Sequence, residues 1–226
     1  MKETVIISLG GSLIVPNIID VSWLIDLKKV IEKFASTFRF IIVCGGGNTA
    51  REYQKAAKEL CDIDKEDLDW LGIHSTRLNA HLLRTIFKDK AYAKIIKDPN
   101  EKIDFKEDIL IAAGWKPGRS TDYIAVLLAE KYGIKKIINL TNIDFVYDKD
   151  PKKFKEAKSI KELSWTDFRK IVGDKWDPGL NSPFDPVASG LAQKLRLEVS
   201  ILNGKNLENF QDCLNGQRFK GSVIKG

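Results

Sequence analysis

The sequence predicts an α/β protein: a three-layer α/β/α sandwich built around a mainly parallel central sheet. Three observations predict it. Short apolar runs alternate along the chain with longer stretches of helical periodicity. Ile41-Ile42-Val43 and Ile137-Ile138 are apolar on both faces, as central strands covered on both sides must be. Glycine-rich or polar turns follow several of these runs, at the strand ends where open α/β sheets take their ligands.

The elements follow in order. A strand over 5–9 leads into Gly10-Gly11, and apolar periodicity predicts a helix over 21–36. A second strand, 38–44, ends in three glycines, followed by helices over 49–60 and 67–87. A strand at 109–112 meets a Gly/Pro loop, a helix over 122–132 and a buried strand over 136–140. Helices over 164–172 and 186–194 and strands over 199–202 and 221–224 complete the pattern. The stretch 98–107 is polar and reads as a loop. The breaker-rich stretch 173–184 reads either as a lid or as an irregular connection.

With 226 residues the chain is long enough to bury a substantial core as one large domain. Its net charge of +6 comes from Lys and Arg interspersed with Asp and Glu, so no nucleic-acid partner is expected. A generally basic surface instead draws in anionic nucleotides. Cys44, Cys61 and Cys213 lack metal-ligand spacing and fit reduced thiols, Cys44 as a small core residue. The first residues show no signal-peptide pattern, and no apolar run approaches the roughly 20 residues needed to span a bilayer. A cytoplasmic protein without a membrane partner is expected.

Four blocks carry chemistry. Gly10-Gly11-Ser12 lets backbone approach an anion and present successive N–H groups, although a lone Gly-Gly also suits an ordinary turn. Gly45-Gly46-Gly47 ends a buried strand just where a helix begins, so a phosphate there would meet N–H groups and the positive dipole end, with Arg51 nearby. On the long helix, Asp69, Gly72, Thr76 and Asn79 recur at three- and four-residue spacing and form a small polar stripe, expected to face a ligand or a subunit. The opposite apolar face, Trp70, Leu71, Leu78 and Leu82, is expected in the core or a subunit interface. His74 and His81 stand too far apart to share a metal and read as surface or packing residues. The fourth block is the loop 114–122 with the polar turn 140–151, both at the same end of the sheet.

Taken together and in this order, the blocks resemble the amino-acid kinase superfamily, most closely its uridylate (UMP) kinases of archaeal type. The matching residues are Gly10-Gly11-Ser12, Gly45-Gly46-Gly47 with Arg51, Asp69 with Gly72-Ile73 and Thr76–Ala80, Pro117-Gly118 with Ser120-Thr121-Asp122, Thr141-Asn142-Ile143-Asp144 with Val146-Tyr147 and Asp150-Pro151, and Asp185-Pro186-Val187-Ala188. The resemblance covers essentially the whole chain. It implies a single domain over 1–226, its acceptor side roughly 1–115 and its ATP side roughly 116–226. It implies phosphoryl transfer from ATP, carrying Mg²⁺, to UMP, and a homo-oligomer, a hexamer built as a trimer of dimers. Carried over by position, Gly46, Asp69, Trp115, Lys116, Pro117, Gly118, Arg119, Ser120 and Thr121 contact UMP. Ser8, Leu9, Gly10, Gly11, Ser12, Gly47, Arg51, Thr141, Tyr147 and Asp150 contact ATP. Asp122 and Arg51 serve the catalytic centre, and no metal is held by the protein itself. Such transfer needs mainly positioning and charge neutralisation.

Three positions depart from the family pattern. Ser8 and Gly190 stand where lysines are usual, and Phe145 replaces a glycine in the Asp-Gly-Val-Tyr turn. Lys116, Arg119, Lys149, Lys175 and Lys194 are the candidates to restore the missing charge. Alternative readings on the same fold stay open: a non-catalytic nucleotide-binding or storage protein, or a kinase of another small acceptor such as isopentenyl phosphate. The last usually carries a histidine near the second glycine run, and residues 48–56 contain none.

Overall fold

The computed structural model describes residues 2–101, 103–151, 153–175 and 182–226. The first half runs β1 (Glu3–Leu9), α1 (Gly11–Ile14), α2 (Val21–Phe34), β2 (Phe38–Cys44), α3 (Gly47–Leu60), α4 (Lys65–Ile86) and β3 (Ile109–Ala112). It continues through α5 (Thr121–Tyr132), β4 (Lys136–Thr141), β5 (Val146–Tyr147), β6 (Ser159–Ile160), β7 (Glu162–Ser164) and α6 (Trp165–Val172). The last elements are α7 (Pro186–Lys194), β8 (Glu198–Asn203), α8 (Leu207–Leu214) and β9 (Ser222–Lys225).

Seven strands form one sheet in the order β3-β2-β1-β4-β8-β9-β7. β1, β2, β3, β4 and β8 run parallel, so Leu9, Cys44, Ala112, Thr141 and Asn203 all end at one edge. β9 runs antiparallel to β8, which makes the sheet mainly rather than wholly parallel. The α/β sandwich is therefore present as expected. The pair β5–β6, the short β7 and helices α1 and α8 went unanticipated, all but α8 being too short for periodicity to reveal them. The breaker-rich stretch lies partly beyond description: 176–181 fall outside the described residues.

Strand alternation decides which helix each side chain meets. Ile7, Leu9, Phe40 and Ile42 point to the layer holding Leu24, Leu27, Ile31 and Leu83 of α2 and α4. Ile6, Ile41, Val43 and Ile137 point to the layer of Ile124 and Leu128 on α5, Phe168 on α6 and Ala188 on α7. Each large apolar side chain so removed from water contributes about 1.5–3 kcal/mol. Ser8 shares a face with Ile6, so it projects into the α5 layer.

Helix starts follow local chemistry. Asp20, Asp64, Ser120, Ser164, Asp185 and Asn206 each accept a hydrogen bond from the backbone N–H three residues on. Such caps satisfy N–H groups that have no partner within the helix. Two of them, Ser120 and Asp185, cap the neighbouring helices α5 and α7 beside Asp122.

Candidate active site

The two glycine runs touch each other. Gly10 N–H donates to Leu140 O and Gly45 N–H to Leu9 O, both at 2.8 Å, which stitches the loops to neighbouring strand ends. A Cβ on Gly11 would lie 2.1 Å from Gly47 N, and Gly47 itself has φ +65. Backbone packs on backbone here, so any side chain would force the loops apart. Asn79 Nδ2 donates to Gly45 O and Gly46 O at 2.8 and 3.1 Å and holds the second loop from α4. The N-terminal N–H groups of α3 lie at this junction, the end of a helix that favours anions.

The polar stripe of α4 is the side turned inward. Asp69 Oδ2 accepts from Gly118 N–H at 2.7 Å, and burial pushes its carboxyl pKa up, partly offset by that bond. Thr76 Oγ1 accepts from Gly114 N–H at 2.8 Å. Arg77, within the Thr76–Ala80 motif, clamps the same loop: Nε donates to Gly114 O at 3.2 Å and Nη2 to Trp115 O at 2.9 Å. The loop after β3 is therefore tied at four points to one helix. The opposite face of α4 lies mostly outside the core, with Leu82 packed against it. Leu78 is 63% exposed and Trp70, Leu71 and Leu82 are half-buried, because Leu68, Ile73, Ala80 and Leu83 fill the inward positions instead. His74 is exposed beside Trp70, a surface residue as expected.

These elements enclose a cleft of about 600 Å³. Of the expected site residues, Ser12, Gly46, Gly47, Arg51, Asp69, Arg119, Ser120, Thr121 and Thr141 line it. Leu9, Gly10, Gly11, Trp115, Lys116, Pro117 and Gly118 do not, the Leu9 side chain being buried in the core. Trp115 packs towards the α5 layer, and Lys116 lies over its ring. Gly118 serves through its N–H on Asp69. Sequence reasoning missed Gln54, which lines the cleft one turn beyond Arg51 and donates to Leu68 O at 2.8 Å. Its i,i+3 spacing from Arg51 was the available signal.

Ser8 and Asp122 sit beside this cleft rather than in its wall. Ser8 Oγ donates to Asp122 Oδ1 at 2.7 Å, and Asp185 N–H donates to Asp122 Oδ2 at 3.0 Å. Burial, together with the nearby Asp185 carboxylate, pushes Asp122 up to about 6 against the pull of its two hydrogen bonds. Asp185 is also raised, again by burial above all. Its Oδ2 is buried without a hydrogen-bond partner among the described residues. Ser8 thus orients a carboxylate in place of presenting a charge.

A second cavity of about 400 Å³ adjoins the first through Thr141 and Asn142. Tyr147 and Asp150 line it, joined by Ile143, Phe145, Ile171 and Pro183. Phe145, the departure from glycine, therefore adds an aromatic wall. Gly190 opens on neither cavity: it lines a separate hollow with Arg169, Asp174 and Lys194.

A model described as the amino acid kinase family matches residues 3–203. The chain belongs to that family. This amino acid kinase is 32% identical over 223 residues to the uridylate kinase of Methanobrevibacter smithii, covering 97% of this chain and 98% of that one. It is 35% identical over 206 residues to the uridylate kinase of Sulfurisphaera tokodaii, covering 89% and 90%. The crystal structure of uridylate kinase from Archaeoglobus fulgidus superposes with a TM-score of 0.81 at 32% identity, covering 99% of this chain and all of that one. The structure of a UMP kinase from Ureaplasma parvum, at 22% identity and a TM-score of 0.78, shares the fold. Among the described residues of the kinase, no group of three or more His, Cys, Asp or Glu side chains is placed to hold a metal ion. No described helix is long and apolar enough to cross a membrane.

Proposed function

We propose that this kinase transfers the γ-phosphoryl group of ATP to UMP, giving UDP and ADP. One observation carries the reading: the glycine loops, the inward stripe of α4 and the loop before α5 close around a single polar cleft that opens directly into a second, more apolar cavity. The first suits a nucleoside monophosphate and the second a purine base, so acceptor and donor meet where the strands end. Uridylate kinases matching almost the full length support UMP as the acceptor. The polar wall of Ser12, Thr76, Ser120 and Thr121 suits a nucleotide better than an isoprenoid tail.

In this reading Gly46 and Gly47 hold the phosphoryl group in flight, Asp69 meets the nucleoside of UMP, and Tyr147 packs on adenine with Thr141 and Asp150 beside it. Roughly the first 115 residues form the acceptor side and the rest the donor side. Magnesium comes with the ATP phosphates, and the oxygens of Asp122 and Asp185 are the hard donors that suit its water shell. The free thiols of Cys44, Cys61 and Cys213 fit a reducing cytoplasm. Exposed Tyr53, Leu60 and Leu78 on α3 and α4 favour assembly of identical subunits, with a hexamer as the expected form. Light scattering should then give a mass well above the 25.5 kDa of one chain.

The test is an acceptor panel of UMP, CMP and isopentenyl phosphate with ATP–Mg²⁺, the products separated by chromatography. UDP should form with UMP preferred. Nucleotide binding without turnover of any acceptor would overturn the reading.

A further inference from the structure

We propose that Arg119 is a catalytic residue of this cleft, the guanidinium that neutralises charge on the phosphoryl group as it passes from donor to acceptor. The inference rests on the phosphotransferase reading above and goes beyond assigning the 114–121 loop to UMP.

The charge problem is visible in the site. Beside the cleft stand two carboxylates, Asp122 and Asp185, in contact through the Asp185 backbone N–H. Two polyanionic substrates must meet beside them. The phosphate oxygen of UMP attacks the γ-phosphorus, the bond to the β–γ bridging oxygen breaks, and its electron pair leaves on ADP. Total charge is unchanged and no proton is released, but negative charge concentrates between the nucleotides. Preorganised cations are worth most at such a point.

Among the described residues, two cationic side chains line the cleft, Arg51 and Arg119. They differ in surroundings. Arg51 is exposed on α3, its Nη2 making a long 3.4 Å contact with Pro16 O. Arg119 is half-buried, its guanidinium over the Tyr123 ring at 4.8 Å and its Nη1 donating to Gly118 O at 3.0 Å. Its charge acts on Asp185, the residue that touches Asp122. An arginine held by one carbonyl and one ring keeps most of its five donors for a ligand. Of the other cations, Lys149 lines the second cavity and pairs with Glu156, Lys116 covers Trp115, and Lys194 lies with Gly190 in the separate hollow.

The experiment compares wild type with Arg119→Gln, Arg119→Lys and Arg119→Ala in steady-state kinetics with UMP and ATP–Mg²⁺, with thermal melts and ADP-binding calorimetry alongside. Wild-type turnover of UMP is established first; its absence would overturn the functional reading together with this one. With the parent active, Arg119→Gln should lower kcat by about 10²–10³ while both KM values move less than about threefold. Arg119→Lys should recover part of the loss, and millimolar guanidinium should restore turnover to Arg119→Ala. If Arg119→Gln melts far below the parent, Arg119→Lys and the guanidinium response decide. A kcat within about threefold of the parent, or a loss confined to KM, overturns the proposal while the phosphotransferase reading stands.

Discussion

The two cavities are built differently. The cleft between the glycine loops and α4 is tied together by direct hydrogen bonds with one helix: Asp69 to Gly118, Thr76 to Gly114, Arg77 to Gly114 and Trp115, Asn79 to Gly45 and Gly46. The second cavity hangs on distant chain. Val146 N–H donates to Ser222 Oγ, Lys220 pairs with Asp144, and Asn203 donates to Asp144 at 2.9 Å. The first region is preorganised by a single element. The second borrows its shape from residues near the end of the sequence. In the proposed reading, the first arrangement holds the attacking oxygen of the acceptor in place.

The sharpest way to break the comparison is at the junction both regions share. Gly11→Ala puts a Cβ 2.1 Å from Gly47 N, backbone against backbone. We expect a cost of about 3 kcal/mol, a melting temperature lower by roughly 10 °C, and near-complete loss of turnover. A variant that melts and turns over like the parent would show that the two loops are not locked together.

Asp122→Asn comes next and separates chemistry from stability. Turnover should fall on the order of 10²-fold, if the carboxylate organises the transferring group. The stability effect has the opposite sign. Asp122 is raised from 3.8 to about 6, so its contribution to folding is present below 3.8 and is lost as pH rises through about 6. The neutral asparagine escapes that loss. Melting temperatures of variant and parent should diverge in the variant's favour between about pH 4 and pH 7. Parallel melting curves across that range would remove the burial argument.

A smaller, paired effect sharpens the contrast between the cavities. Asp69→Asn should raise KM for UMP about tenfold and leave that for ATP nearly unchanged, because a charged acceptor bond is lost on one side only. Tyr147→Ala should do the reverse, through loss of one aromatic contact with the base. Both variants shifting the same KM would refute the division into acceptor and donor cavities.

The smallest effect is expected at Gly190. A Cβ there meets nothing nearer than Arg169 Cζ at 3.9 Å, so Gly190→Lys fits without strain. With Arg119 already in the cleft, turnover should change less than about threefold. A large gain would mean that the parent lacks a cation which this position can supply.

How much was legible follows the same divide. The five parallel strands, most of the helices and the inward stripe of α4 were readable because periodicity is local. The stripe even indicated which face of α4 meets the site, although not that Leu78 and Trp70 would stay near the surface. Arg77 as a loop clamp could not be read, since its partners at Gly114 and Trp115 are 37 and 38 residues away. Ser8 was legible only as a missing lysine, and its bond to Asp122 spans 114 residues. The donor-side hairpin β5–β6 is two residues per strand, anchored by Ser222 through Val146 and Ile160. Nothing in a stretch that short announces a strand.

The central claim is that UMP occupies the cleft between the glycine loops and α4. A crystal structure with UMP and a non-hydrolysable ATP analogue tests it most directly. It should place the UMP phosphate within hydrogen-bond distance of the Gly46 and Gly47 N–H groups, its nucleoside beside Asp69, and the adenine against Tyr147. UMP seated instead among Phe145, Tyr147 and Ile171, or found nowhere in the 600 Å³ cleft, would contradict the account.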